Sequence, residues 1–317
     1  MFSQRTNVKK KIGLALMQAI VIVPFFHVAA LAGKPTQNTT TATPQMRTYV
    51  SGLGSDSNPC TVSSPCRNFQ AALALTIAGG EIFVLNSADY GPLTIGKAVS
   101  ITSEGATAGV MATSGVGIVI NAGASDVINL RGLVVDGANT GTTGMQFNSG
   151  QSLNIQKTTV RGFTNSGISF APNGAAKLFV TDTVVTGNGN NGILVASNSS
   201  SAVSGLLNRV SASANGVGVF ANGGAVSLTM TDTVAGNNTY GVGATSSAVM
   251  VRNSTLSNNS IGVAADQSGV IRVGQSTITA NGTGWTSQNG GQVESYGNNN
   301  VNGNTTDGTL TTTLALQ

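Results

Sequence analysis

The sequence predicts an all-β solenoid, a single-stranded parallel β-helix, and three observations carry the prediction. A unit of the form apolar-x-apolar-x-polar-Ser/Thr-x-apolar runs from Leu153 to Val160 and recurs at Leu178 to Val185, Val249 to Leu256 and Ile271 to Ile278. Weaker copies surround Val135, Val210, Val234 and Val301, so that the anchors Val135, Val160, Val185, Val210, Val234, Leu256, Ile278 and Val301 follow one another at intervals of 25, 25, 25, 24, 22, 22 and 23 residues. A fixed period of this size marks a stacked repeat. Second, within each unit apolar and polar residues alternate with period two, rich in Val, Ile and Thr, which fits half-buried strands and no helical stripe. Third, each run breaks at Gly, Asn, Ser or Thr, as polar corners between short strands must. Leucine-rich repeats share the period but need a leucine scaffold that is missing, and a sandwich of hairpins would not keep so regular a spacing. Coils stacked about 4.8 Å apart would turn the anchors into an inward aliphatic ladder.

The first 47 residues read differently. Arg5, Lys9, Lys10 and Lys11 precede an apolar run over Ile12 to Val23, and Ala30-Leu31-Ala32 fits a small-residue cleavage site; residues 1–32 are therefore expected to be a secretory signal peptide. Gln18, Pro24 and His27 interrupt the run and argue against a retained membrane anchor. Residues 33–46, rich in Thr, Pro and Gln, are expected to form a flexible leader, and residues 47–317 the β-helix domain. Cleavage would remove four of 15 Lys+Arg, leaving 11 against 11 Asp+Glu. The high pI thus belongs to the signal, and a formally neutral mature chain has no basic field for nucleic acid. It would also remove His27, the only histidine, and with it any Ser-His-Asp, Cys-His or His-ligated zinc arrangement.

The domain opens with Thr48-Tyr49-Val50-Ser51, then Gly54-Ser55-Asp56-Ser57-Asn58-Pro59, then Pro65-Cys66-Arg67-Asn68-Phe69-Gln70-Ala71-Ala72-Leu73. This stretch resembles the opening of secreted right-handed parallel β-helix proteins of the pectate-lyase-like superfamily. There a Tyr-Val-Ser strand and a Gly-x-Asp-x-Asn-Pro loop precede a Gln-Ala-Ala-Leu helix that caps the first coil. The resemblance implies a right-handed helix with a short N-terminal capping helix, and secretion. It does not imply one activity, since the superfamily hosts lyases, hydrolases, adhesins and non-enzymes. A short amphipathic helix using Phe69, Leu73 and Ile77 would cover the open core and unpaired edges at the coil end. Cys60 and Cys66, the only cysteines, lie six apart in a chain expected to be exported, which favours a disulfide within the loop. Asp56 is read as a turn-capping residue in preference to a Ca²⁺ ligand.

Along the coils, Glu81 to Leu85 supplies the first strand, Val99 to Ser125 a longer irregular coil, and the regular repeat starts at Asp126. Registering the coils on their anchors stacks Asp136, Arg161 and Thr186 in one column. It places Lys157 beside Asp182 in a second, extended through Asn208, Asp232, Asn253 and Gln275. Enzymes of the resembled superfamily abstract a proton beside a uronate carboxylate with an Arg or Lys while Ca²⁺ neutralises the acid. That chemistry would cast Arg161 or Lys157 as base and Asp136, Asp182 and Asp232 as Ca²⁺ ligands. The competing reading, which we favour, is cross-coil ion pairs and amide ladders at exposed corners, with no resident cofactor. The acids are unclustered, and Asp232 stands two coils, about 10 Å, beyond Asp182. The Asn-x-Asp, Asp-Asp and Gly-His-Gly motifs of the superfamily's hydrolases are absent, as is a Trp-x-x-Asp-His lyase motif. Tyr240 and Trp285, beside Gly241 and Gly284, are candidate sugar platforms, with Trp285 leaning toward core or cap. The run Leu310 to Leu316 is expected to close the last coil.

The sequence therefore points to an exported, monomeric, non-catalytic β-helix protein, secreted or at the cell surface with the periplasm as another destination, and without a transmembrane segment after cleavage. It is expected to bind a polysaccharide or a cell-surface partner through a polar face. The alternatives are a divergent polysaccharide lyase acting on acidic glycans and a structural spacer or adhesin.

Overall fold

The computed structural model of the chain describes residues 43–197 and 199–315. The expected signal peptide lies outside the described residues, as does the leader up to residue 42. The first strand starts at Gln45, two residues inside the stretch read as leader.

From Gln45 onward the chain winds through about ten turns of a right-handed parallel β-helix. Each regular coil lays down three short strands, so the barrel has three faces. In one coil these are Val127–Arg131, Leu133–Asp136 and Thr143–Ser149; in the next, Ser152–Gln156, Thr159–Arg161 and Ile168–Phe170. The first two faces form one 20-stranded sheet, bent along its length, and the third forms a separate nine-stranded sheet. In the coils Ala176–Thr186 and Val203–Ser213 a single strand runs through the bend. Every pairing is parallel and each strand bonds to its counterpart one coil away. Alternate side chains point inward, producing a continuous aliphatic core with Ile82, Ile101, Leu130, Ile155, Val180, Leu207, Met230, Val251 and Val273 stacked behind the first face.

The bend is made the same way in every regular coil. Gly132, Lys157, Asp182, Arg209, Asp232, Asn253 and Gln275 occupy equivalent places, each in the left-handed region with φ between 46° and 75°. Most non-glycine residues avoid that region, so the repeat carries a small local strain that the ladders on either side hold in place. This bend is the polar column seen in the sequence, with one correction: Arg209, not Asn208, is the fourth member.

That slip follows from a misplaced register. Val185 pairs with Ala212 and Ala212 with Ala235, whereas Val210 pairs with Thr183. Val234 points to solvent and is 43% exposed. The inward anchors are therefore Val135, Val160, Val185, Ala212, Ala235, Leu256, Ile278 and Val301.

Three residues after six of those anchors stands a buried asparagine: Asn188, Asn215, Asn238, Asn259, Asn281 and Asn304, the last of them less buried. Each Oδ1 from Asn215 onward accepts the backbone N–H of the preceding member at 2.8–3.1 Å. Each Nδ2 from Asn215 onward donates to the carbonyl of the anchor in the preceding coil, such as Ala212 from Asn238 at 3.0 Å. The ladder satisfies backbone groups that the sharp turn between the second and third faces would otherwise bury unpaired.

At the N-terminal end the helix Phe69–Leu75 covers the core with Phe69, Ala72 and Leu73 buried. Ile77 belongs to the following strand, Thr76–Val84, and is half-exposed; Thr76, in extended conformation, ends the helix. Cys60 and Cys66 form a disulfide. The Asp56 carboxylate accepts the N–H groups of Arg67 and Asn68 at 2.9 and 2.8 Å and the Asn68 amide at 2.6 Å, tying the loop to the start of the helix. At the other end Thr312–Thr313 pairs with Glu294 and Ser295, so the C-terminal run does add a strand to the last coil.

Candidate functional site

The charged residues singled out in the sequence fall on the second face and on the bend, in separate small groups. Asp136 and Arg161 are register partners on the second face, with Arg161 Nε 2.8 Å from Asp136 Oδ2. Burial alone would raise the Asp136 carboxyl; the Ala138 N–H and the Arg161 guanidinium outweigh it and hold the group below its ordinary value. Asp182 is clasped by Arg209 of the next coil, Nε–Oδ1 2.6 Å and Nη2–Oδ2 3.0 Å, a bidentate fork. Lys157, expected as its partner, adds only its more distant charge. The hydrogen bond from Arg209 is the main reason the Asp182 carboxyl is lowered; slight desolvation opposes it, and the charges of Arg209, Lys157 and Arg131 assist. Asp232 accepts hydrogen bonds from the amides of Asn208 (3.0 Å) and Asn253. Arg209 thus stands between Asp182 and Asp232, and Asp136 lies on another face. Among the described residues no three His, Cys, Asp or Glu side chains gather as metal ligands.

Trp285 does not offer a platform. It pairs with Val263 on the inward side of the third face and is 7% exposed. The residue equivalent to Tyr240 in that coil is Thr283, two positions earlier.

Tyr240 does face outward, and around it the third face forms a depression. Three outward rows build it. One runs Val217, Tyr240, Ile261, Thr283; the second Phe220, Gly243, Ala264, Thr286; the third Asn222, Thr245, Asp266, Gln288. In the middle row the missing side chain of Gly243 and the methyl of Ala264 leave a trough between Phe220 and Thr286. A Cβ built on Gly243 would lie 3.0 Å from Phe220 Cδ2, so the ring leans over the glycine. The resulting cavity is about 220 Å³, lined by Val217, Phe220, Tyr240, Gly243, Ala264 and, along one side, Thr245, Asp266 and Gln288. It spans four coils, about 14 Å at the usual strand spacing. The chemistry is an aromatic and aliphatic floor with a hydroxyl, a carboxylate and an amide in line beside it. Such a surface suits a ligand with one apolar face and a polar edge. Phe220 and Gly243 carry no signal alone; registering Gly243 against Phe220 and Ala264 is what exposes the trough.

No family model matches the sequence, and no curated protein matches it. Solved structures do resemble the fold. Over 86% of this chain and 79% of its own, the pectate lyase Pel9A superposes with a TM-score of 0.53 at 15% identity. The A-module of a mannuronan C-5 epimerase from Azotobacter vinelandii gives 0.52 at 12% identity, over 75% of this chain and 91% of the module. Tailspike protein 2 of an Escherichia coli O157:H7 bacteriophage gives 0.53 at 10% identity, over 71% of this chain but only 35% of the tailspike. At such identities the likeness speaks to architecture, and the chain folds as a right-handed parallel β-helix.

Proposed function

We propose that this chain is an exported protein that binds polysaccharide, without cleaving it, in the trough on its third face. The observation that carries the reading is the juxtaposition of Tyr240 and Phe220 with the Thr245–Asp266–Gln288 row across the Gly243 gap. Sugar rings present an apolar face of C–H groups and an edge of hydroxyls, and aromatic side chains supply large contact area at low entropic cost. Two of the structural neighbours, by their names, act on pectate and on mannuronan, which supports a glycan as the ligand class. The Cys60–Cys66 disulfide supports an oxidising compartment. Non-catalytic binding is supported by the engagement of the guanidinium groups: Arg161 and Arg209 each lie in an ion pair with an aspartate, which ties up the N–H groups a substrate would have to meet.

Calorimetric titration with a panel of oligosaccharides tests the reading. Binding is expected for the natural chain and is expected to weaken at least tenfold in Tyr240→Ala and in Gly243→Leu, which fills the trough. A panel that binds both variants as tightly as the natural chain would refute the site. A rise in ultraviolet absorbance from unsaturated ends with polygalacturonate, abolished by Arg161→Ala, would replace binding with β-elimination on the second face.

A further inference from the structure

The three faces differ sharply in charge. The nine strands of the third face, Leu93–Ile95, Val116–Asn121, Thr143–Ser149, Ile168–Phe170, Asn191–Ala196, Val217–Asn222, Tyr240–Thr245, Ile261–Asp266 and Thr283–Gln288, hold no Lys or Arg and a single acid, Asp266. Arg131, Arg161, Lys177, Arg209, Arg252 and Arg272 all lie in strands of the first two faces or on the bend between them. There five arginines form ion pairs with acids: Arg47–Glu81, Arg131–Glu104, Arg161–Asp136, Arg209–Asp182 and Arg272–Glu294. Asp266 has no such partner among the described residues. Its Oδ1 accepts the Gln267 N–H at 3.0 Å and the Asn289 amide at 2.8 Å, contacts that orient the carboxylate without neutralising it. It stands in the wall of the trough, one coil from Thr245 and one from Gln288.

An uncompensated carboxylate beside an aromatic floor, on a face without cations, repels polyuronates and attracts a cation carried on an amphipathic ring. Building on the proposed function, we infer that the third-face trough is selective for glycans bearing free amino groups, with Asp266 receiving the sugar ammonium while Tyr240 and Phe220 support the ring. A charge-assisted hydrogen bond is the strong kind, and losing one reads as about a ten- to hundredfold fall in affinity.

The test compares three probes of equal length by calorimetry, at a pH where the amine is protonated: a β-1,4-glucosamine oligosaccharide, its N-acetylated counterpart and a galacturonate oligosaccharide. The amino probe is expected to bind at least tenfold tighter than the N-acetylated one, and the galacturonate probe most weakly. Asp266→Asn, an isosteric change at a half-exposed position, is expected to bring the amino probe down to the N-acetylated level. Asp232→Asn, which removes an acid from the bend, is expected to change nothing and controls for attraction to the protein as a whole. Equal binding of the amino and N-acetylated probes, both abolished by Gly243→Leu, would overturn the amino selectivity and leave the trough as a glycan site. Preference for galacturonate would also overturn the selectivity. Failure of every probe would overturn the selectivity and the trough together.

Discussion

Replacing Asn238 with alanine removes the middle rung of the buried asparagine ladder, and its cost can be worked from the contacts. The side chain is 5% exposed. Its Oδ1 accepts the Asn215 N–H at 2.8 Å and the Asn215 amide at 3.4 Å, and its Nδ2 donates to Ala212 O at 3.0 Å and to Asn259 Oδ1 at 3.1 Å. Truncation leaves the Asn215 N–H buried without that acceptor, a loss of about 1–3 kcal/mol. The bond withdrawn from Ala212 O contributes a further loss of about 1 kcal/mol. The expected destabilisation is therefore about 2–4 kcal/mol, a large effect for a single substitution. Asn238→Asp should cost more, since it keeps an acceptor but sets an anion against the Ala212 and Asn259 oxygens. Asn190→Ala removes only an exposed bond to Asn165 and should stay within about 0.5 kcal/mol. Guanidinium unfolding followed by circular dichroism gives the global figure. Amide exchange at Asn215 gives the local one, which matters because solenoid stability is a sum over neighbouring coils. If Asn238→Ala costs no more than Asn190→Ala, and the Asn215 amide stays protected, the ladder does not hold the turns and this reasoning fails.

Other perturbations have equally definite outcomes. Trp285→Ala should destabilise by about 3–5 kcal/mol, the usual loss for a buried large aromatic, without weakening glycan affinity, because the ring lies in the core; parallel unfolding and titration check both halves. Replacing Cys60 and Cys66 together with serine opens a loop closed by residues six apart and should cost about 2 kcal/mol on the loop-entropy account, read as a lower guanidinium midpoint that reductant reproduces in the natural chain. The Asp136 carboxyl is depressed in the fold, so its contribution is fully present above the ordinary value of 3.8 and is lost as pH falls through the folded value. Arg161→Gln should move that titration up toward the ordinary value, and carboxyl carbon resonances followed by NMR would show it. An unmoved titration would mean that the pair is not formed in solution.

Much of the fold is written in period and alternation, which is why the parallel β-helix, the capping helix near Phe69 and the first three regular coils can be read from the chain. The reading slips where the anchors shrink, by two residues at Ala212 and by one at Ala235. Ala212 and Ala235 occupy inward positions that Val210 and Val234 mimic by being larger and β-branched, and the step from Val185 to Ala212 is lengthened to 27 residues. The asparagines carry the missing signal. Asn188, Asn215, Asn238, Asn259, Asn281 and Asn304 repeat at the true spacing, three after each of the last six anchors, yet beside glycines each one reads alone as an ordinary turn residue. The same slip hides the Asp182–Arg209 fork behind a Lys157–Asp182 pairing. The candidate site is harder to read for a different reason. Tyr240 stands out as an aromatic in a glycine-rich stretch, but the trough exists only because Phe220, Gly243 and Ala264 are register partners in three successive coils. Trp285 shows the converse: a neighbouring glycine made it look equivalent to Tyr240, while alternation sends it inward.

Hydroxyl-radical footprinting with a bound oligosaccharide locates glycan on one face of the β-helix, because oxidisable side chains report on separate faces. Phe220 and Tyr240 mark the trough; Met111, 47% exposed, and Phe179, 38% exposed, mark the other two faces. Saturating glycan is expected to protect Phe220 and Tyr240 and to leave Met111 and Phe179 oxidising at their free rates. Protection of Met111 or Phe179, with Phe220 and Tyr240 still fully reactive, would contradict a third-face site.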